Sequence, residues 1–215
     1  MFVTLEGIDG AGKSTQARLL AAALGPETLL LREPGGTPVG ERLRELLKDG
    51  SLELSPRAEL LLFCAARAEL VERVIKPALR AGRDVVCDRF VDSTVAYQGG
   101  ARGLAPGLVA DLNAAAVDGC MPERTVLLRV EVGNALGRAE QRGGPRLSDR
   151  FEREGPVFLE RIATAFDRIA RAEPERVTVV DAEAKVEEVH ARVLAALGVV
   201  AGARPQGEEP DRGGA

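Results

Sequence analysis

The sequence predicts a three-layer α/β fold, a five-stranded parallel sheet flanked by helices, and three observations carry that reading. Short apolar runs near residues 1–6, 28–32, 84–87, 125–130 and 177–180 alternate with longer stretches of helical period. The first run passes directly into a glycine-rich loop and then a helix, the opening of a right-handed βαβ unit. With 215 residues, 45% of them hydrophobic, the chain can build the core of one ordinary domain.

The elements follow in order. Met1 to Glu6 reads as a buried strand, and Lys13 to Leu24 as a helix closed by Gly25 and Pro26. Thr28 to Arg32 is a second strand and runs into the loop Glu33-Pro34-Gly35-Gly36-Thr37. A helix from about Val39 to Lys48 stops at Gly50. Ser55-Pro56 is a helix entry, with Ser as N-cap and Pro at the first helical position. The apolar period then continues to Pro77, where a break or kink is expected, and Gly82 ends the segment. Asp84 to Cys87 is the third strand, delivering Asp88-Arg89-Phe90, and Tyr97 to Gly103 reads as a polar, glycine-rich loop. Pro106 to Val117 is helical, Thr125 to Val130 is the fourth strand, and a helix near Val132 to Gln141 leads into an arginine-rich stretch. Phe158, Ile162, Phe166 and Ile169 mark one face of another helix. Val177 to Val180 is the last strand, and Val186, Val189, Val193 and Leu197 line the last helix. One domain over 1–200 is expected. From Ala201, Gly, Pro, Glu and Arg replace the apolar period, which predicts a disordered tail over 201–215.

Composition narrows the function. The net charge of −4 gives no global field for nucleic acid, and aromatic residues are too scarce for a base-stacking platform. No apolar run approaches the roughly 20 residues of a membrane span, and the N-terminus reads as a strand rather than a signal peptide. Cys64, Cys87 and Cys120 are odd in number and lie in apolar surroundings, so reduced thiols and a cytoplasmic protein are expected. The single histidine, His190, falls on the polar face of the last helix, which argues against histidine acid–base chemistry.

Gly7-Ile8-Asp9-Gly10-Ala11-Gly12-Lys13-Ser14 matches the phosphate-loop pattern G-x-x-x-x-G-K-[ST] without a mismatch, and Thr15 follows it. Between a strand and a helix N-terminus, its backbone N–H groups converge on one point, where the helix dipole also favours an anion. Lys13 can reach the terminal phosphates and the Ser14 hydroxyl can ligate Mg²⁺. The expected ligand is a nucleoside triphosphate, and the expected fold is that of the P-loop NTPases, with a crevice at the carboxyl ends of the strands.

Around that crevice, Asp88 closes an apolar strand and suits the magnesium side of the site, with a loop-capping aspartate as the alternative. Arg89, next in the chain, can hold a phosphate bidentately. Phe63 and Arg67 are four apart on a helix and share a face. A ring beside a guanidinium suits a nucleobase, although periodicity alone reads Phe63 as core. Arg138, Arg142, Arg146 and Arg150 recur every four residues, but Gly143-Gly144-Pro145 breaks any helix through them. The variable positions of the phosphate loop hold no basic residue. Phosphoryl transfer needs cations beyond Lys13, so a basic lid over about 138–152 is expected to supply them.

In this order the motifs resemble the bacterial thymidylate kinases, P-loop nucleoside monophosphate kinases. The resemblance rests on Leu5 to Thr15, Arg32-Glu33-Pro34-Gly35-Gly36-Thr37, Ala65-Ala66-Arg67, Asp88-Arg89-Phe90 with Ser93-Thr94, Ala96-Tyr97-Gln98-Gly99, and Asp149-Arg150-Phe151-Glu152. It implies transfer of a phosphoryl group from ATP to dTMP, with Mg²⁺, in a homodimer. It further implies that Asp9 contacts the acceptor sugar, that Phe63 stacks on thymine, that Arg67 bonds a base carbonyl and that Thr94 sits near the ring edge. Arg89 would grip the acceptor phosphate, Tyr97 would crowd the sugar 2′ position, and Gln98 would lie close to base or sugar. Glu33 and Pro34 fall in the same acceptor site. Lys13 and Arg89 together with the lid arginines Arg142, Arg146 and Arg150 form the expected catalytic set. Two other readings stay open on the residues themselves: a deoxynucleoside kinase recruiting Glu33 as base, and a P-loop protein that holds nucleotide without transferring phosphate.

Overall fold

The computed structural model describes residues 1–141, 150, 151 and 154–199. Strands β1 (Phe2–Glu6), β2 (Leu29–Arg32), β3 (Val85–Asp88), β4 (Arg124–Arg129) and β5 (Val177–Asp181) form one sheet in the order β2-β3-β1-β4-β5. Every pairing is parallel, as expected. β1 is central: Leu5 lies beside Asp88 of β3, and Glu6 beside Leu127 of β4. The carboxyl ends of the strands therefore share one edge, where an open parallel sheet receives ligands.

The alternation of side chains along β1 divides the core. Val3 and Leu5 join the cluster that holds Leu20 of α1 (Lys13–Leu24), Ile162 and Phe166 of α8 (Pro156–Ala172), and Val193 of α9 (Val186–Leu197). Phe2 joins a second cluster with Leu70, Ile75, Val85 and Phe90. Helical layers thus cover both faces, which is why the strand residues read as continuous apolar runs. Thr4 shares the face of Phe2 and is satisfied there by Thr125, Oγ1 to Oγ1, at 2.7 Å.

Caps set two helix starts. Thr37 Oγ1 accepts from the Gly40 N–H ahead of α2 (Pro38–Lys48), and Ser55 Oγ from the Ala58 N–H ahead of α3 (Pro56–Leu70). The expected break at Pro77 takes a milder form. A π-helical turn, Val71–Ile75, joins α3 to α4 (Lys76–Arg80), and the Lys76 N–H reaches back to the Val71 carbonyl. The extra residue absorbs the missing proline donor without interrupting the axis.

The loop expected around Tyr97 is also helical. After α5 (Val91–Thr94) the chain makes a second π-helical segment, Val95–Ala101, before α6 (Pro106–Val117). One of its glycines serves packing rather than turning. A Cβ on Gly100 would come within 2.5 Å of the Ala165 Cβ on α8, so glycine lets the two elements touch. The fourth strand is followed by α7 (Val132–Gln141). The expected lid arginines Arg142 and Arg146 and the tail 201–215 lie outside the described residues. Among the described residues, no helix is long and apolar enough to cross a membrane.

Candidate active site

A cavity of about 240 Å³ opens at the carboxyl edge of the sheet. One end is the phosphate loop, with Asp9, Gly10, Gly12, Lys13, Ser14 and Thr15; the other reaches Phe63 and Arg67 of α3. Glu33, Pro34, Asp88, Arg89, Thr94, Tyr97 and Gln98 also line it. Ile8 and Ala11 instead pack into the core beneath the loop. The loop keeps its tight path because Gly10 sits against α7, where an added Cβ would meet the Ala135 carbonyl oxygen at 2.3 Å. Its other side borders a wider cavity of about 510 Å³, bounded by Arg138, Ala182, Lys185 and Val186.

Lys13 is buried, and its Nζ donates to the Ile8 carbonyl at 2.8 Å. Burial, reinforced by the nearby Arg89 guanidinium, pushes Lys13 down to about 8. Ser14 Oγ donates to Asp88 Oδ2, while Asp88 Oδ1 is buried with no hydrogen-bond partner. A buried, unsatisfied carboxylate oxygen beside a hydroxyl is a hard-oxygen pair suited to Mg²⁺, which takes few protein ligands and completes its shell with phosphates and water. Among the described residues no cluster of three or more His, Cys, Asp or Glu offers a competing metal centre.

The half of the cavity away from the phosphate loop is more densely bonded. Arg89 has φ 74, a left-handed conformation unusual outside glycine. Its Nη1 donates to the Gly7 carbonyl (3.2 Å) and Ser93 Oγ (3.0 Å), and its Nη2 to Asp9 Oδ1 (2.8 Å) and the Tyr97 hydroxyl (3.0 Å). The Tyr97 hydroxyl donates in turn to Asp9 Oδ2 at 3.0 Å, closing a triangle. Desolvation in the crevice opposes the Asp9 charge, but Arg89, Lys13 and Tyr97 outweigh it and hold that carboxyl well below the usual range.

Arg67 is 1% exposed and fully engaged with protein on one side. Nε and Nη2 grip the Glu33 carboxylate, the shortest contact being 2.6 Å, Nη2 also reaches Thr94 Oγ1 (2.9 Å), and Nη1 donates to Asn113 Oδ1 (2.7 Å). Phe63 stands one turn away on α3, half-buried, with its ring centroid 6.0 Å from that of Phe151. Phe151 also meets the Tyr97 ring at 6.0 Å and lines the cavity. Pro34 is braced by α2, its carbonyl accepting from Arg44 Nη1 at 2.9 Å.

A second carboxylate gathers the far wall. Glu59, buried on α3, accepts from Gln98 Nε2 (2.8 Å), Arg102 Nε (3.2 Å) and Arg150 Nη2. Arg150, expected in the lid, is thus tied to α3, and Arg102 continues to Glu154. Arg142 and Arg146 lie outside the described residues.

The sequence reading gave no role to Glu6, Glu59, Ser93, Asn113, Arg102 or Phe151. Two carried a signal: Glu6 ends an apolar strand, and Asn113 falls four residues after Val109 on the buried stripe of α6. The other ties join residues far apart in sequence.

The chain is similar to known proteins over most of its length. The family model described as Thymidylate kinase matches residues 5–193. Among curated relatives, the thymidylate kinase of Gluconobacter oxydans is 50% identical over 203 residues, covering 92% of this chain and 94% of the relative. That of Rhizorhabdus wittichii is 48% identical over 200 residues, covering 91% and 96%. Among solved structures, the thymidylate kinase of Ehrlichia chaffeensis superposes with a TM-score of 0.76 at 35% identity, covering 92% of this chain and 98% of that one.

Proposed function

Because the chain belongs to the thymidylate kinase family and transfers a phosphoryl group from ATP to dTMP, giving ADP and dTDP, we propose the following division of its site. The observation that carries it is one cavity with the phosphate loop at one end and the Phe63–Arg67 pair at the other. The loop N–H groups and Lys13 hold the ATP phosphates, and the remainder of ATP extends toward the wider cavity beside Arg138 and Lys185. Ser14 and Asp88 would hold Mg²⁺, which when bound neutralises charge on the donor phosphates; the unpartnered Asp88 Oδ1 supports this.

At the acceptor end, thymine stacks on Phe63, and Arg67 Nη1, with a second hydrogen beyond that given to Asn113, bonds a base carbonyl. Thr94 and Gln98 border the ring, and Glu33 with Pro34 walls the pocket. Asp9 meets the sugar, Tyr97 crowds its 2′ position, and Arg89 grips the acceptor phosphate, which takes over the Nη2 hydrogens given to Asp9 and Tyr97 in the ligand-free protein. That acceptor is already an anion, so no strong base is needed. The residues position two polyanions in line and neutralise them. Arg142, Arg146 and Arg150, in a lid over about 138–152 of a single domain spanning 1–200, supply the remaining positive charge and exclude water.

The protein acts in the cytoplasm as a homodimer. The family likeness supports the dimer, as do the exposed Val39, Leu46 and Leu61 on the packed helices α2 and α3. A coupled assay across the nucleoside monophosphates and thymidine tests the acceptor assignment: dTMP should turn over fastest. Turnover of thymidine in preference to dTMP would instead favour a nucleoside kinase using Glu33 as base.

A further inference from the structure

We infer that Glu6 is a positioning residue for the acceptor-phosphate arginine, acting on Arg89 through Ser93 and the backbone turn that follows β3. The inference rests on the reading of Arg89 given above. Glu6 is 0% exposed at the end of the central strand and points onto the face shared with Phe2 and Thr4. Its Oε1 accepts from the Phe90 N–H at 2.7 Å and from the Ser93 N–H at 3.3 Å, and its Oε2 accepts from Ser93 Oγ at 2.5 Å. Oε1 thus takes two backbone N–H donors in either protonation state, and once Glu6 is ionised, above about 8, Oε2 takes the Ser93 proton as well, where an amide would set an N–H against it.

Two consequences reach Arg89. Donating its proton to Glu6, the Ser93 hydroxyl keeps its lone pairs for Arg89 Nη1, which lies 3.0 Å away. The backbone is clamped on both sides of the left-handed residue: Arg89 N donates to the Leu5 carbonyl at 3.0 Å, and Phe90 N to Glu6. The next residue, Gly7, accepts from Arg89 Nη1 and begins the phosphate loop. Leu5, Glu6 and Gly7 thus place the donor loop and the acceptor arginine with respect to each other. Strain of this kind persists only where surrounding contacts over-determine it. Asp92, another buried carboxylate nearby, is paired with Arg176 at 2.7 Å, which leaves Glu6, alongside Asp9 and Asp88, among the acidic groups that act on Arg89.

The test is steady-state kinetics at about pH 9, where Glu6 is ionised, of Glu6→Gln, Ser93→Ala, Arg89→Ala and the Ser93→Ala/Arg89→Ala double variant, with ATP and dTMP varied separately. Loss of one hydrogen bond to a charged group should raise KM for dTMP about tenfold in Glu6→Gln and Ser93→Ala, with KM for ATP within about twofold. The double variant should be no worse than Arg89→Ala alone, because Ser93 works through that arginine. Equal KM rises for both substrates, no change, or an additive double-variant penalty would overturn the relay. If Glu6→Gln does not fold, Ser93→Ala and the cycle carry the test. An unchanged KM for dTMP in Arg89→Ala would overturn the Arg89 reading itself, and the relay with it. A raised KM there with unaffected Ser93→Ala and Glu6→Gln overturns the relay alone.

Discussion

The two halves of the cavity are built on opposite principles. Around the acceptor end, Arg67 is saturated on its protein side by Glu33, Thr94 and Asn113, Arg89 by Asp9, Tyr97, Ser93 and the Gly7 carbonyl, and Gln98 is tied to Glu59. Around the donor end, Lys13 Nζ rests on a single loop carbonyl and Asp88 keeps a buried oxygen without a partner. A group held by several fixed partners costs little to order when ligand arrives, so on the proposed division the protein itself would fix where dTMP lies. An unsatisfied buried group is tolerated only where something else satisfies it, so on the proposed division nucleotide and Mg²⁺ would complete the donor half.

Substitutions can break this contrast. The largest effect is expected at Lys13: Lys13→Ala should lower kcat about 10³-fold, measured as single-turnover dTDP formation, with dTMP affinity nearly unchanged. Next, Glu33→Gln leaves the buried Arg67 guanidinium without its counter-charge, which should destabilise the fold by about 3 kcal/mol in urea unfolding. A loss below about 1 kcal/mol would show that Arg67 is not held as described. A smaller change follows Asp88→Asn, which should raise the Mg²⁺ concentration for half-maximal rate about tenfold while leaving KM for dTMP alone.

The smallest expected effect concerns pH. Burial and the neighbouring Asp92 push Glu6 from 4.5 up to about 8. The folded protein then binds the Glu6 proton more tightly than the unfolded chain does. This contribution to stability is fully present below about 4.5 and is lost as pH rises through about 8. Unfolding free energy of the ligand-free protein should decline across that window, and Glu6→Gln should flatten the decline. An unchanged slope in the variant would remove Glu6 as the source.

What the sequence disclosed and what it hid divide along the same physical line. The sheet and the phosphate loop were legible because each is encoded in consecutive residues: an apolar run, a glycine-rich turn, a helix start. Phe63 and Arg67 could be paired by helical period alone. The partners that hold Arg67 come from three other elements, and nothing local in Asn113 or Thr94 announces the guanidinium that they meet. Gly99 and Gly100 were read as a turn because glycine marks loops, whereas Gly100 is there to admit α8. Glu59 lies inside a strong helix pattern, where a lone acidic residue passes for part of a solvated face, and Glu6 ends an apolar strand whose sequence does not name the donors it meets. Their roles depend on long-range packing, which periodicity does not report.

Titration calorimetry with each ligand separately, in Mg²⁺ and in chelator, tests the contrast between the halves most directly. The account predicts that dTMP binds with the same affinity in both conditions, while ATP binding weakens at least about tenfold when Mg²⁺ is removed. If dTMP affinity falls with Mg²⁺ as steeply as ATP affinity does, the acceptor half is not prebuilt and the central claim is wrong.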